Sequence, residues 1–291
     1  MRAPMFVLNT TLACDANRVS FRRVAQHYGV EHFVVDVPTQ ISEENLEYVA
    51  SQLRQMKLFI EQNSGRTLDE EEFKRTIARS KRTIENYREY LRLRADRYFP
   101  DNMTSEMLSV FVTHVLLGSE NAEEFTRRLV EQVREIAPVR KGVRVLWVHT
   151  LPYWQKPLRE LLNLNERCEV VACDMTFDSL TGTEEEDPYR FMASRILNNS
   201  FNGSSQRRIE LAEKYARELN ANGIVWYCHW GCKQTAGASA NAKQYLESRG
   251  FPVLVLDGDG CDTSNVNDGQ TATRMEAFIE LLERREKEGA V

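Results

Sequence analysis

At 291 residues, with 42% hydrophobic and 28% charged residues, the chain has a globular balance and the length of two ordinary domains. A formal net charge of −5 argues against a surface built for nucleic acid, because phosphate binding needs clustered positive charge. No apolar run approaches ~18 residues and no charged-then-apolar leader opens the chain, so neither a membrane span nor a secretory signal is expected, and the cytoplasm is the expected compartment.

A strand over 5–8, a helix reaching Tyr28 and stopped by Gly29, and a strand over 32–37 ending at Pro38 predict a compact βαβ unit, with Cys14 in its first strand-to-helix turn. From Ser42 the pattern turns helical, with a Ser cap, acids in the first turn and apolar residues at Leu46, Val49, Leu53, Met56 and Ile60. After a turn at 63–65, helices are expected over 69–98, 103–117 and 122–137, and 138–142 ends this layer. The basic residues between Arg79 and Arg97 are interleaved with acids and read as a solvated helix face. A second α/β section opens with a strand over 144–149, a helix over 156–162 and a strand over 168–173. The acidic stretch 178–188 reads as an exposed loop, and SSQRRIELAEKYARELNANG as a helix closed by Gly223. An apolar run from Ile224 to Tyr227, a cysteine-bearing loop, a 16-residue helical segment and a strand over 253–256 follow, and a helix over 271–288 ends the chain. These elements predict an α/β protein of two Rossmann/flavodoxin-like lobes with parallel sheets and a helical insertion between them, divided as 1–41, 42–138 and 139–291.

Six cysteines in a chain expected to stay in a reducing compartment point to thiols, metal ligands or catalytic groups rather than to a disulfide framework. Cys228, His229 and Cys232 form C-H-x-x-C, a spacing that serves zinc or an iron–sulfur cluster, although one such pair completes neither site. Cys232 begins the following helix, where unpaired amides favour thiolate, whereas Cys228 remains in the strand-like run and is expected to face the core. Cys14 holds the equivalent turn of the first lobe, beside Asp15, so two facing sheet edges would bring Cys14 and Cys232 onto one metal centre. Cys168 and Cys173 bracket an apolar run and are expected in the core. Cys261 follows Gly258-Asp259-Gly260 and either lines the same crevice or sits on a solvent-facing loop. His149, at a strand end, is a site candidate or a satisfied core histidine, and Arg274 is placed to pair with a phosphate or with Asp262.

The strings HWGCKQTAGA, PVLVLDGDGCD and GQTATRMEAFIELLE, read with TTLACDANRVSF and FVVDVPTQ, resemble the D-component family of the 2-hydroxyacyl-CoA dehydratases and the ATP-dependent benzoyl-CoA reductases. The similarity runs through both lobes and is most specific in the C-terminal third. The resemblance implies a four-iron four-sulfur cluster held by three cysteines per subunit between α/β lobes, in a heterodimer with a paralogous subunit. It also implies an ATP-hydrolysing activator protein that injects one electron, which reaches an acyl-CoA thioester, forms a ketyl radical and returns once water has left C2 and C3. Cys14 matches the family's ligand in the CD turn and Cys232 the ligand in the HxGC turn. The remaining family ligand lies upstream of the CD turn, in a region this chain does not possess. Cys228 or Cys261 is therefore expected to substitute, or a non-protein ligand does, or the chain is a truncated or degenerate member. His229 and Lys233 are expected to donate hydrogen bonds that tune the cluster.

The expected function is that of a dehydratase-like lyase subunit acting on an acyl-CoA. The alternative in the same fold is a reductase subunit that uses the cluster for net electron transfer. A non-catalytic partner or maturation subunit, and a zinc-binding structural domain on Cys228, His229 and Cys232, are the readings from other classes.

Overall fold

The computed structural model describes residues 3–12, 14–182, 184–265 and 267–289. The chain is α/β, with two parallel sheets, and it divides into two compact units: Met1–Ala78 with Ser179–Arg207, and Arg79–Asp178 with Arg208–Val291.

In the first unit, β1 (Val7–Thr10) and β2 (His32–Val35) pair in parallel, Val7 opposite His32 and Thr10 opposite Val35. The crossover is α1 (Asp15–Tyr28), which stops where Gly29 turns left-handed and donates its N–H to the carbonyls of Ala25 and Gln26. The Ser42 hydroxyl caps α2 (Glu43–Ser64) by accepting from the Asn45 N–H. Leu46, Val49, Ala50 and Leu53 then pack with Ala193 and Leu197 of a helix at Pro188–Asn198. That helix starts at the Asp187 cap, with proline in its first turn. The stretch 178–188, expected as one exposed loop, is instead buried at Asp178, Ser179 and Leu180.

α3 (Glu70–Arg94) crosses from the residues of the first unit into those of the second. In the second unit α4 (Met103–Val110) continues as a π-helical turn over Phe111–Val115 before α5 (Glu120–Glu135). The helical stretch 42–138 is thus shared, α2 in the first unit and α4 and α5 in the second. There follow β3 (Val143–Val148), α6 (Lys156–Leu162), β4 (Cys168–Cys173) and the single turn α7 (Asp174–Phe177). With the Pro188–Asn198 helix as α8, the chain continues through α9 (Ser205–Glu218), β5 (Gly223–His229), α10 (Lys233–Ser248), β6 (Val253–Gly258) and α11 (Asp268–Lys287). Asn220, not Gly223, supplies the left-handed turn after α9 (φ 52°), and Gly223 opens β5. Gly142, at φ 53° before β3, is the residue the backbone requires there: a Cβ would lie 2.3 Å from the carbonyl oxygens of Glu166 and Arg167.

The second sheet runs β4-β3-β5-β6, all parallel. β3 and β4 are buried throughout, which is why both read as unbroken apolar runs rather than alternating ones. Their side chains pack with Leu158 and Leu162 of α6 and with Met275, Phe278, Ile279 and Leu282 of α11. Beneath the strands lies a buried ionic group: Arg94 donates to Glu169 (3.0 Å) and lies 3.4 Å from Glu106, whose carboxyl burial pushes up to about 7. After β3 the chain moves to one side, to β4, and then returns to the other side of β3 as β5. The carboxyl ends of β3 and β5 therefore flank the point where strand order reverses, the place where open α/β sheets build their sites. No helix among the described residues is long and apolar enough to cross a membrane.

Candidate functional site at the carboxyl ends of the second sheet

β5 delivers the site because its apolar body is anchored: Ile224, Val225, Trp226 and Tyr227 are buried, and the Trp226 Nε1–H donates to the Thr235 carbonyl at 3.0 Å. The strand ends at His229, the chain turns through Trp230 and Gly231, and Cys232 becomes the N-cap of α10 in extended conformation (φ −108°, ψ 99°). No side chain caps this helix, no acid occupies its first turn, and Lys233 stands exposed at its first position. A cation there opposes the helix dipole and leaves this end of α10 without a compensating acid of its own.

The same local build recurs in the first unit. Cys14 follows β1 and is the N-cap of α1, extended (φ −116°, ψ 113°) and without a side-chain cap hydrogen bond. Cys14 and Cys232 are both half-buried and Cys261 is exposed; all six thiols are free. Cys168, Cys173 and Cys228 are buried, and burial pushes all three thiols above their usual range. Cys228 points to the Thr235 carbonyl at 3.9 Å and Cys173 to the His149 carbonyl at 3.1 Å, so both are occupied core thiols. The cysteines not packed into the core are thus Cys14, Cys232 and Cys261.

His229 lies beside Cys261, with Nε2 4.0 Å from Sγ. Its Nδ1 accepts the Gly260 N–H at 2.9 Å, which leaves Nδ1 without a proton and puts the proton of the neutral ring on Nε2. His229 is therefore a hydrogen-bond donor toward the thiol side of the site. Gly231 makes room for the ring, since a Cβ there would meet Nε2 at 2.9 Å. His229, Asp259 and Cys261 offer ligand atoms within 4.8 Å of one another, yet the fixed tautomer works against a metal there, because neither ring nitrogen has a free lone pair. Asp259 is engaged as well: its carboxylate accepts from the Cys261 and Asp262 amides and from Asn265, and these bonds hold it below the usual carboxylate range. Arg274 pairs with Asp257 at 3.3 Å, not with Asp262.

His149, just past β3, stacks on His229 with ring centroids 6.1 Å apart. Its backbone is left-handed (φ 77°), a strained choice for a non-glycine residue at the end of a central strand. Asp174 explains how it is held, since Oδ1 accepts the His149 N–H at 2.6 Å while Oδ2 accepts Arg208 Nε at 2.6 Å. Asp174 and Arg208 are buried functional neighbours that the sequence reading missed, as no spacing links residues 34 positions apart.

Burial, then the Arg208 charge, pushes the His149 imidazole down to about 4. The unfolded chain binds this proton more readily, near ~6.5, so the contribution of His149 to stability is complete above that pH and declines as pH falls toward 4. Glu106, pushed the other way, acts with opposite sign, and comparison with a variant removes it. His149→Asn keeps a residue that tolerates the left-handed backbone. From pH 7 to pH 5 the wild type should lose about 2 kcal/mol more than this variant in urea unfolding followed by tryptophan fluorescence; equal losses would show that His149 does not titrate as described.

The chain matches the model of the family described as 2-hydroxyglutaryl-CoA dehydratase, D-component, over residues 2–282. It is 22% identical to the alpha subunit of (R)-2-hydroxyglutaryl-CoA dehydratase of Acidaminococcus fermentans, a match covering 99% of this chain and 63% of that one. It is 21% identical to the lactoyl-CoA dehydratase alpha subunit of Anaerotignum propionicum, over 96% of this chain and 69% of the relative. One of the subunits of the benzoyl-CoA reductase of Thauera aromatica is 22% identical over 48% of this chain and 32% of its own length. The chain thus spans somewhat less than two thirds of the first of these relatives.

Proposed function

The chain belongs to the 2-hydroxyglutaryl-CoA dehydratase D-component family, and on that premise we propose that it is a subunit of an iron–sulfur enzyme that eliminates water from a 2-hydroxyacyl-CoA. The observation that carries this reading is the pair of N-cap cysteines, Cys14 and Cys232, each following a parallel strand with its thiol neither buried nor used as a helix cap. In this proposal they hold a four-iron four-sulfur cluster, and Cys261 is the third protein thiol that suits it. Cys228 is the weaker candidate, because its thiol is buried and burial disfavours its thiolate.

Held by these thiols, a cluster would supply one-electron transfer toward an acyl-CoA thioester for a ketyl-radical elimination of water, with an ATP-hydrolysing activator as the proposed electron source. The chain's own residues supply the setting. Cys232 stands at the uncapped N-terminus of α10, beside the exposed Lys233. His229 presents Nε2–H toward the thiol side and is kept in that tautomer by Gly260. Asp174 holds the end of β3 in place by binding the His149 amide. The dehydratase relatives are alpha subunits, which supports a paralogous subunit as partner and an acyl-CoA as substrate.

The benzoyl-CoA reductase relative supports a second reading, net reduction of an acyl-CoA. Anaerobic assay of the chain co-expressed with its partner and supplied with activator, ATP and a 2-hydroxyacyl-CoA separates the two. Dehydration yields the 2-enoyl-CoA with electrons needed only in catalytic amount. Consumption of reductant in proportion to product would replace lyase with reductase, and activity of a complex in which this chain holds no iron would favour a non-catalytic subunit.

A further inference from the structure

We propose that Thr235 is a positioning residue for the Cys232 sulfur: its hydroxyl donates a hydrogen bond to Sγ, aimed by a buried Asp174–Arg208 pair. This deepens the cluster reading and rests on it for its functional meaning, although the hydrogen bond itself belongs to the protein alone.

Thr235 Oγ1 lies 3.3 Å from Cys232 Sγ. The same oxygen accepts Arg208 Nη1–H at 2.8 Å. A guanidinium has donors only, so the threonine oxygen is the acceptor in that bond, and the single hydroxyl proton is left to point elsewhere. Sγ is the acceptor in reach. Arg208 is held in turn by Asp174 Oδ2 at 2.6 Å, and the other oxygen of Asp174 binds the His149 N–H. Thr235, Arg208 and Asp174 are 0%, 2% and 1% exposed, whereas Cys232 is half-buried, so the chain of donors runs from the interior outward and ends on the accessible sulfur.

The sequence offers a reason to read this as a device rather than as packing. In a capping box the N-cap side chain binds the amide of the third helical residue, and the side chain of that third residue reaches back to the N-cap amide. Here the N-cap is Cys232 and the third residue is Thr235, and the two side chains meet each other instead. The Asp174–Arg208 pair directs the Arg208 Nη1–H to the Thr235 hydroxyl, which that bond polarises. A hydroxyl polarised by Arg208 is a stronger donor, and it favours the sulfur when the sulfur carries negative charge. The corresponding position after Cys14 is the exposed Asn17, so among the two N-cap cysteines this buried support belongs to Cys232 alone.

The test compares wild type with Thr235→Val, which is nearly isosteric, Thr235→Ser, which keeps the hydroxyl, and Thr235→Ala, which serves if the valine variant does not fold. In iron-free protein, the rate of Cys232 alkylation by iodoacetamide is read at one pH by peptide mass mapping. Loss of the hydrogen bond to the sulfur is expected to change the alkylation rate by about threefold in the valine and alanine variants, with the wild-type rate restored in the serine variant. In cluster-loaded protein the midpoint potential should move to more negative values in the same two variants and return in Thr235→Ser. An unchanged alkylation rate without the hydroxyl, or a serine variant that behaves as valine does, overturns the proposal. If wild type takes up no iron and sulfide, the cluster reading fails, and the alkylation series still decides the role of Thr235.

Discussion

Asp174→Ala is expected to lower the stability of the second unit by about 3–5 kcal/mol. The Asp174 and Arg208 side chains are each 2% exposed, so removing the carboxylate leaves a guanidinium in the interior without its counter-charge. The same change takes the acceptor from the His149 amide, which sits on a left-handed backbone that has to be held in place. Asp174→Asn retains an acceptor for that amide but not the charge, and should fall between alanine and wild type. The readout is clean because Trp147, Trp154, Trp226 and Trp230 all lie in the second unit. Their fluorescence during urea unfolding therefore follows that unit. A loss below about 1 kcal/mol in Asp174→Ala would mean that the pair behaves as a solvated one.

Under the proposed function, Cys232→Ala and Cys14→Ala are each expected to reduce dehydration by about a hundredfold or more, since losing a proposed ligand should cost at least as much as losing a residue that supports one. The controls come from burial. Cys168 opens β4 and is fully buried in the core, so Cys168→Ala should cost stability while leaving the proposed activity of the folded protein near wild type. Cys261→Ala separates two roles: a drop as deep as that of Cys232→Ala makes it a ligand, and near-normal activity leaves the remaining position to Cys228 or to a non-protein group. Full activity in Cys14→Ala would remove the first unit from the chemistry.

The unit from Ile224 to Gly258 is legible in the sequence because each of its signals is local. The apolar run of β5, the uncapped cysteine and the second apolar run are read from neighbouring letters, and the structure has β5, α10 and β6 in that order and in parallel. The burial of Cys168 and Cys173 is legible for the same reason. The helix at Pro188–Asn198 escapes a linear reading although Asp187 and Pro188 form a start signal, because the acidic run before it dominates the composition. Gly223 reads as a helix stop, yet Asn220 turns the chain, since either residue tolerates a left-handed backbone. What no local pattern reveals is the support beneath the site. Asp174, Arg208 and Thr235 come from three separate elements, and His149 is left-handed without being glycine. Such features arise from tertiary contacts that a linear reading cannot pair.

The central claim is that Cys14 and Cys232 serve one inorganic centre. Its most direct test is iron and acid-labile sulfide analysis, with EPR, of the anaerobically purified chain co-expressed with its partner subunit, using variants in this chain only. Iron and sulfide in equal amounts and a cluster signal are expected in wild type, with the share held by this chain lost in both Cys14→Ala and Cys232→Ala. Retention of that share in either variant, or zinc in place of iron and sulfide, would contradict it.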